Sequence, residues 1–248
     1  MDEIQVTFFS LDDLISSKLW HSFLSEIEIC VGEKLSHIDI KDPVRKKVTS
    51  IQSAANYICD FDSQETSRTL FGKFGKSKIS LIISLYEINA SEFPNELSFY
   101  FPSKLLKNNE GIQTILSVFK LGNEYLKPFY SYGDEIDQVS GKRKATRRAV
   151  DLEVELIGVF WLTYLNKKYI DFFEKERIEK LSNLGVDLSF NDDGVEFRVG
   201  DLPANSNSIG MRLSAEKILG ADSFVDPNLT FNKVIGKQAL SFSQLINE

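Results

Sequence analysis

Histidine is nearly absent: His21 and His37 are the only two in 248 residues. A protein zinc centre needs several His, Cys or carboxylate ligands at set spacing, and a Ser–His or Cys–His nucleophile needs its base close by. His21 falls on the flank of a helical stretch and His37 in the loop that follows, and neither Cys-x-x-Cys nor His-Glu-x-x-His occurs. The sequence therefore calls for no metal, no cofactor and no catalytic triad. Cysteine is equally scarce. Cys30 and Cys59 sit inside apolar helical patterns, which fits two free thiols and not a secreted disulfide scaffold. The Gly-x-Ser-x-Gly elbow is missing. So is the phosphate loop, because Leu70 stands where its first glycine would precede Gly75-Lys76-Ser77.

Long apolar runs are absent too, and nothing approaches the ~18 residues of a membrane span. MDEIQVTFFS has no basic stretch and no small-residue cleavage site, so no secretory signal is expected and the expected compartment is the cytoplasm. Positive charge is in deficit. Lys and Arg number 29 against 36 Asp and Glu, for a net charge of -7. Generic nucleic-acid binding needs a basic surface, so it is disfavoured. An acidic surface keeps a protein soluble and suits a basic protein partner.

What is present is a globular core rich in phenylalanine. Nineteen Phe and 42% hydrophobic residues can bury enough surface in a chain this long without disulfide or metal staples. IQVTFF predicts a strand. Ser10 and Asp13 predict a capping box for a helix over about Leu11 to Val31, with Ile15, Leu19, Phe23, Ile27 and Cys30 on its apolar stripe and Gly32 as its stop. Asp42-Pro43 predicts a second helix that buries Val44, Val48, Ile51, Ala55 and Ile58, and FDSQETSRTLFGKFGKSK reads as a loop. ISLIISLYEI and ELSFYF read as a hairpin, GIQTILSVFKLGNEYLK as a helix, and PFYSYGDEID as a strand and turn. LEVELIGVFWLTYL is a continuous apolar run, open to strand or helix. A helix through Ile170, Phe173, Ile178 and Leu181 follows it. VDLSFNDDGVEFRVG alternates on both sides of Asn191-Asp192-Asp193-Gly194 as a hairpin does. A short helix is expected near Leu213 to Leu219. The sum is an α+β fold, antiparallel sheet with helices packed on one face. It forms one domain over residues 1–248, divisible into halves of about 1–140 and 149–248 joined by a basic loop at 141–148.

Three acidic sets are candidates for chemistry or contact. Asp134, Glu135 and Asp137 sit in an expected loop, Asp192, Asp193 and Glu196 lie at a hairpin tip, and Glu153 and Glu155 alternate with apolar residues, as on one face of a strand. Paired carboxylates can do acid–base work, but without histidine they serve more readily as a solvated or partner-binding surface. The basic run Lys142-Arg143-Lys144-Ala145-Thr146-Arg147-Arg148 has no interleaved aromatics and reads as a solvated loop.

The stretch GVFWLTYLNKKYIDFFE, with Trp161, Leu162, Tyr164, Leu165, Tyr169 and Ile170, resembles a motif of bacterial immunity proteins from polymorphic toxin systems, the group called immunity protein family 52 and its relatives. The similarity extends in style to FGKFGKSKISLIISLYE, FPNELSFYFP and the hairpin VDLSFNDDGVEFRVG. Leu165 stands where that family more often has an aromatic residue. The resemblance implies a cytoplasmic antitoxin that binds a cognate toxin protein and has no enzyme activity. Its motif is structural and carries over no inhibitory residues. The residues themselves point the same way, with Phe160, Trp161, Leu162 and Leu165 in a core and the Tyr164 hydroxyl near water. Partner-binding residues are then expected among Asp134, Glu135, Asp137, Asp192, Asp193 and Glu196. The alternatives are an enzyme using a carboxylate pair and a phage-derived assembly protein.

Overall fold

The computed structural model describes residues 3–61, 65–87, 93–145, 150–203, 206–226 and 239–246. Among these residues nine strands are paired antiparallel and eight α-helices occur, an α+β fold. Contacts divide the chain into two compact units, with the break between Pro128 and Phe129.

The first unit holds β1 (Glu3–Ser10), α1 (Ser17–Val31), β2 (Leu35–Asp39), α2 (Ile51–Ile58), β3 (Ser67–Phe74), β4 (Ser80–Tyr86), β5 (Asn95–Pro102) and α3 (Asn109–Leu126). Its strands run in the order β2-β3-β4-β5-β1. Helices α1 and α3 pack together, and Phe23 of α1 reaches Phe99 of β5 at 6.3 Å between ring centres. Gly122 of α3 leaves room for the Phe8 ring of β1, which a Cβ there would strike.

Several expectations need correction here. Helix α1 starts at Ser17, because Ser16 caps Leu19 N–H while Ser10 and Asp13 close two local turns. Its buried residues are Trp20, Phe23, Leu24 and Ile27, so the stripe lies to one side of Ile15 and Leu19. No helix begins at Pro43. Residues 46–48 pair along β2, with Ile38 N–H donating to Lys46 O and Val48 N–H to Ser36 O. Helix α2 begins at Ile51, where Ser50 and Ser53 cap each other. The supposed loop at SRTLFGKF is β3. Gly72 inside it and Gly75 just beyond its end hide the period of two, and at Gly72 a Cβ would meet Leu81 Cγ at 2.9 Å.

The second unit holds β6 (Tyr130–Glu135), α4 (Ile136–Ala145), β7 (Leu162–Asn166), α5 (Lys167–Phe173), α6 (Lys175–Glu179), β8 (Val186–Phe190), β9 (Gly194–Val199), α7 (Ser206–Leu219) and α8 (Phe242–Ile246). Its strand order is β6-β7-β9-β8. The basic run is helical as far as Ala145 and not a loop, because it continues α4 directly from β6; Thr146, Arg147 and Arg148 lie outside the described residues. The helix expected through Ile170 and Leu181 breaks at Glu174, whose φ is 65°, giving α5 and α6. Phe160, Trp161, Leu162, Tyr164, Leu165 and Tyr169 are all buried, and Ile170 is half-buried. The aromatic stretch is therefore core, although only Leu162 onwards is strand.

Candidate functional site

The β8–β9 hairpin brings one predicted acidic set together. Asn191 builds its turn: the backbone N–H donates to Gly194 O at 3.0 Å, and the side-chain Oδ1 accepts from Asp193 N–H at 2.9 Å and Gly194 N–H at 2.8 Å. Asp193 O accepts from Lys167 N–H at 2.8 Å, which ties the turn to the start of α5. A Cβ at Gly194 would strike Leu165 O and the Tyr164 ring, so only glycine lets the hairpin lie this close to β7. The carboxylates are thus presented on a fixed turn. Asp192 and Asp193 are exposed and form no ion pair among the described residues, and Glu196 is half-buried.

Register places Tyr164, Glu196 and Ser189 in one row across β7, β9 and β8. Burial raises the Tyr164 hydroxyl well above its ordinary pKa, and the negative charges of Asp193 and Glu196 raise it further. This phenol stays protonated at physiological pH, a neutral donor beside carboxylates. At the far end of β8, Phe190 is 38% exposed, with the Lys175 ammonium 5.2 Å from its ring centre. The turn thus holds two exposed carboxylates on a fixed backbone beside a partly exposed aromatic ring.

The other predicted set is split. Asp137 is exposed in the first turn of α4, and Glu135 is half-buried. Asp134 is fully buried and is no surface contact. Its Oδ2 accepts from Arg212 Nη1 at 2.6 Å and Trp161 N–H at 2.9 Å, and its Oδ1 accepts from Glu135 N–H at 2.8 Å. Burial pushes its carboxyl up to about 6 against the pull of Arg212 and the two N–H groups. Arg212 Nη2 also donates to Pro203 O at 2.6 Å. One helical turn on, Glu216 is paired with Lys142 and accepts from Val159 N–H at 2.8 Å.

These charges explain the irregular run before β7. Four consecutive N–H groups are met by side chains: Gly158 by the Tyr130 hydroxyl, Val159 by Glu216, Phe160 by Thr163 Oγ1 and Trp161 by Asp134. A buried segment outside helix and sheet must find such partners. Arg212 and Glu216 escaped the sequence reading. The available signal was a pair of opposite charges four residues apart on an otherwise apolar-patterned helix, and it looks the same as a solvated pair.

Glu155 is fully buried, while half-buried Glu153 accepts from Phe242 N–H at 2.9 Å. Glu153 lies in a turn and Glu155 in the irregular stretch after it, and neither lines a strand face. Both histidines line an open cleft of about 640 Å³ in the first unit, together with Lys34 and Lys47. Glu28 is the one acid in that lining, and its Oε1 already accepts from Leu35 N–H. Among the described residues no group of three or more His, Cys, Asp or Glu is placed to hold a metal ion. Cys30 and Cys59 are free, and burial raises both thiols, Cys59 to about 11, which suppresses the nucleophilic thiolate. Among the described residues no helix is long and apolar enough to cross a membrane.

No family model matches this chain, and no curated protein matches it. Among solved structures the chain is similar to Pseudomonas aeruginosa T6SS protein PA0821, with a TM-score of 0.65 and 15% identity over 97% of this chain and 79% of that one. At that identity the likeness is one of fold.

Proposed function

We propose that this chain is an immunity protein, an antitoxin that binds a cognate bacterial toxin domain in the cytoplasm and neutralises it by stoichiometric occlusion. One observation carries the reading: the β8–β9 turn holds unpaired Asp192 and Asp193 on a backbone fixed by Asn191, beside the exposed Phe190 ring. A preorganised acidic surface of this kind loses little entropy on binding, steers a cationic partner, and carries an aromatic anchor. A toxin with a basic active-site cleft fits it, because carboxylates can stand where substrate phosphates would. The fold shared with a T6SS protein supports a secretion-associated setting, and the Trp161 stretch supports kinship with immunity proteins. The chain acts as a binder and not as an enzyme, and needs neither nucleic acid nor membrane.

The test is growth rescue. The product of the adjacent upstream gene is expressed with and without this chain, followed by co-purification. Toxicity cured by this chain, with a stable 1:1 complex burying roughly 1,600 Å² or more, is the expected result. A harmless neighbour that never co-purifies overturns it. Replacing Asp192 and Asp193 with Lys is expected to slow association at least tenfold at low salt; an unchanged rate removes this turn from the interface.

A further inference from the structure

The acidic turn continues into the terminal strand of its sheet, β8. Strand hydrogen bonding alternates, so half of an edge strand's main-chain groups face away from its neighbour. Which half is fixed here by the turn. Asn191 N–H to Gly194 O is a hydrogen-bonded pair, so Ser189 with Glu196 and Asp187 with Arg198 are bonded pairs as well. Val186, Leu188 and Phe190 fall at the positions between them, with their N–H and C=O groups directed away from β9; Val186 is buried, so the open positions are Leu188 and Phe190. None of the three makes a further main-chain hydrogen bond among the described residues.

Natural proteins block such edges with a covering segment, a bulge, a Lys or a Pro. The terminal strand of the first unit uses two of these devices, since β2 is covered by residues 46–48 and its register breaks between Leu35 and His37. Among the described residues no segment hydrogen-bonds along the outer edge of β8, and its register with β9 runs unbroken from Val186 to Phe190. It contains no Lys and no Pro.

Side chains then define what could pair there. Asp187 and Ser189 are exposed on one face, next to Glu196, and Leu188 and Phe190 lie on the other face, half-buried and exposed. Asp192 and Asp193 continue the negative charge past the strand's end. The hairpin from Val186 to Val199 carries four acids, Asp187, Asp192, Asp193 and Glu196, against Arg198 alone. A second copy of this chain would bring the same sign of charge to the same edge, so a segment of opposite charge is favoured.

We propose that the outer edge of β8 receives a short extended segment of the partner protein as an added strand, one in which basic residues alternate with apolar ones. The basic residues lie over Asp187, Ser189 and Glu196, and the apolar ones over Leu188 and Phe190. Main-chain hydrogen bonds supply affinity and the alternation supplies specificity. This deepens the antitoxin reading and rests on it.

The experiment uses the full chain and the adjacent upstream gene product that growth rescue tests. Hydrogen exchange of the Val186, Leu188 and Phe190 amides is measured with and without that protein, and slowing of at least tenfold is expected at Leu188 and Phe190, with the buried Val186 as the internal reference. Leu188→Pro removes an outward donor without touching the β8–β9 ladder, so it is expected to fold and to weaken binding at least tenfold. Asp187→Lys, a surface change, is expected to weaken binding with the fold intact. A complex of undiminished affinity in both variants, with the Leu188 and Phe190 amides exchanging as in the free chain, overturns the edge inference and leaves the antitoxin reading standing. A neighbour that neither binds nor poisons overturns both. Protection of the same amides in a concentrated solution of this chain alone, with a dimer by ultracentrifugation that Leu188→Pro abolishes, overturns it in favour of a second copy.

Discussion

The two units hide their polar groups differently. Buried polar residues of the first unit are neutral: Gln5, Thr7, Ser10, Asn95, Ser98 and Asn123. Every fully buried charged residue among those described belongs to the second unit: Asp134, Glu155, Arg212 and Glu216. The difference follows from the backbone. Strands β1 to β5 satisfy their own N–H and C=O groups along ladders, so short neutral links such as Thr7 to Ser98 at 2.8 Å suffice. The second unit carries the irregular Gly158–Trp161 segment through its core, and its N–H groups require acceptors supplied from β6, β7 and α7. Charge is buried where regular structure stops.

The largest expected effect tests that account directly. Arg212→Ala strips Asp134 of its cation and leaves a buried carboxylate, which should destabilise the protein by about 3–5 kcal/mol. Chemical denaturation measures it. Replacing both partners, Asp134→Leu with Arg212→Met, should recover most of that loss, since an apolar pair of similar volume needs no counter-charge. A single variant costing under about 1 kcal/mol would mean that the segment is held by packing alone.

Next comes the pH dependence. Burial raises the folded carboxyl of Asp134 to about 6 from 3.8, so between pH 4 and 6 the folded chain binds a proton that the unfolded chain has released. Stability from this group is fully present below about pH 4 and is lost as pH rises through about 6. The loss is on the order of 3 kcal/mol. Asp12 of the first unit is also raised by burial, but Lys127 opposes the shift. The comparison of wild type with Asp134→Asn isolates the second unit, and the variant is expected to lose the downward slope over this range. Parallel curves would remove Asp134 as its origin.

In the first unit the matching test is steric. Gly122→Ala drives a methyl group into the Phe8 ring, and overpacking of this kind costs about 1–3 kcal/mol. Thermal unfolding reads it, and adding Phe8→Leu should restore part of the loss. Restoration would mark the first unit as limited by packing, where the second is limited by charge.

The same division governs what could be read from sequence. IQVTFF, ISLIISLYEI, ELSFYF and VDLSFNDDGVEFRVG have the alternation of residues that satisfy their own backbone, and they hold β1, β4, β5 and the β8–β9 hairpin. Strand β3 is hidden because Gly72 interrupts its alternation and Gly75 follows it directly, and Gly72 is required by the nearness of Leu81 and Leu35 across the sheet. The run ELIGVFW carried no periodicity to read, since its shape is set by Asp134, Thr163, Tyr130 and Glu216. Those side chains meet it only in the fold. At the site, Asp192, Asp193 and Glu196 were legible because one hairpin holds them. Asp134 reads as a loop residue yet lies inside β6, because a carboxylate near a strand's end looks the same in sequence whether water or Arg212 faces it.

The smallest expected effect on stability separates charge from scaffold at the hairpin. Asp192→Ser with Asp193→Ser removes two exposed carboxylates but keeps the Asn191 side-chain bonds to both N–H groups. Because neither aspartate forms an ion pair, the change should alter folding stability by no more than about 0.5 kcal/mol. Its effect on association is different. If the turn steers a cationic toxin, the association rate at low salt should fall and its dependence on ionic strength should flatten, while dissociation changes less. Asn191→Ala makes the opposite change, keeping the carboxylates and loosening the turn that presents them, and should chiefly raise the dissociation rate. Should both variants act alike on both rates, rigidity and charge could not be separate contributions, and the contrast drawn between a fixed backbone and the charges it carries would fail at the hairpin.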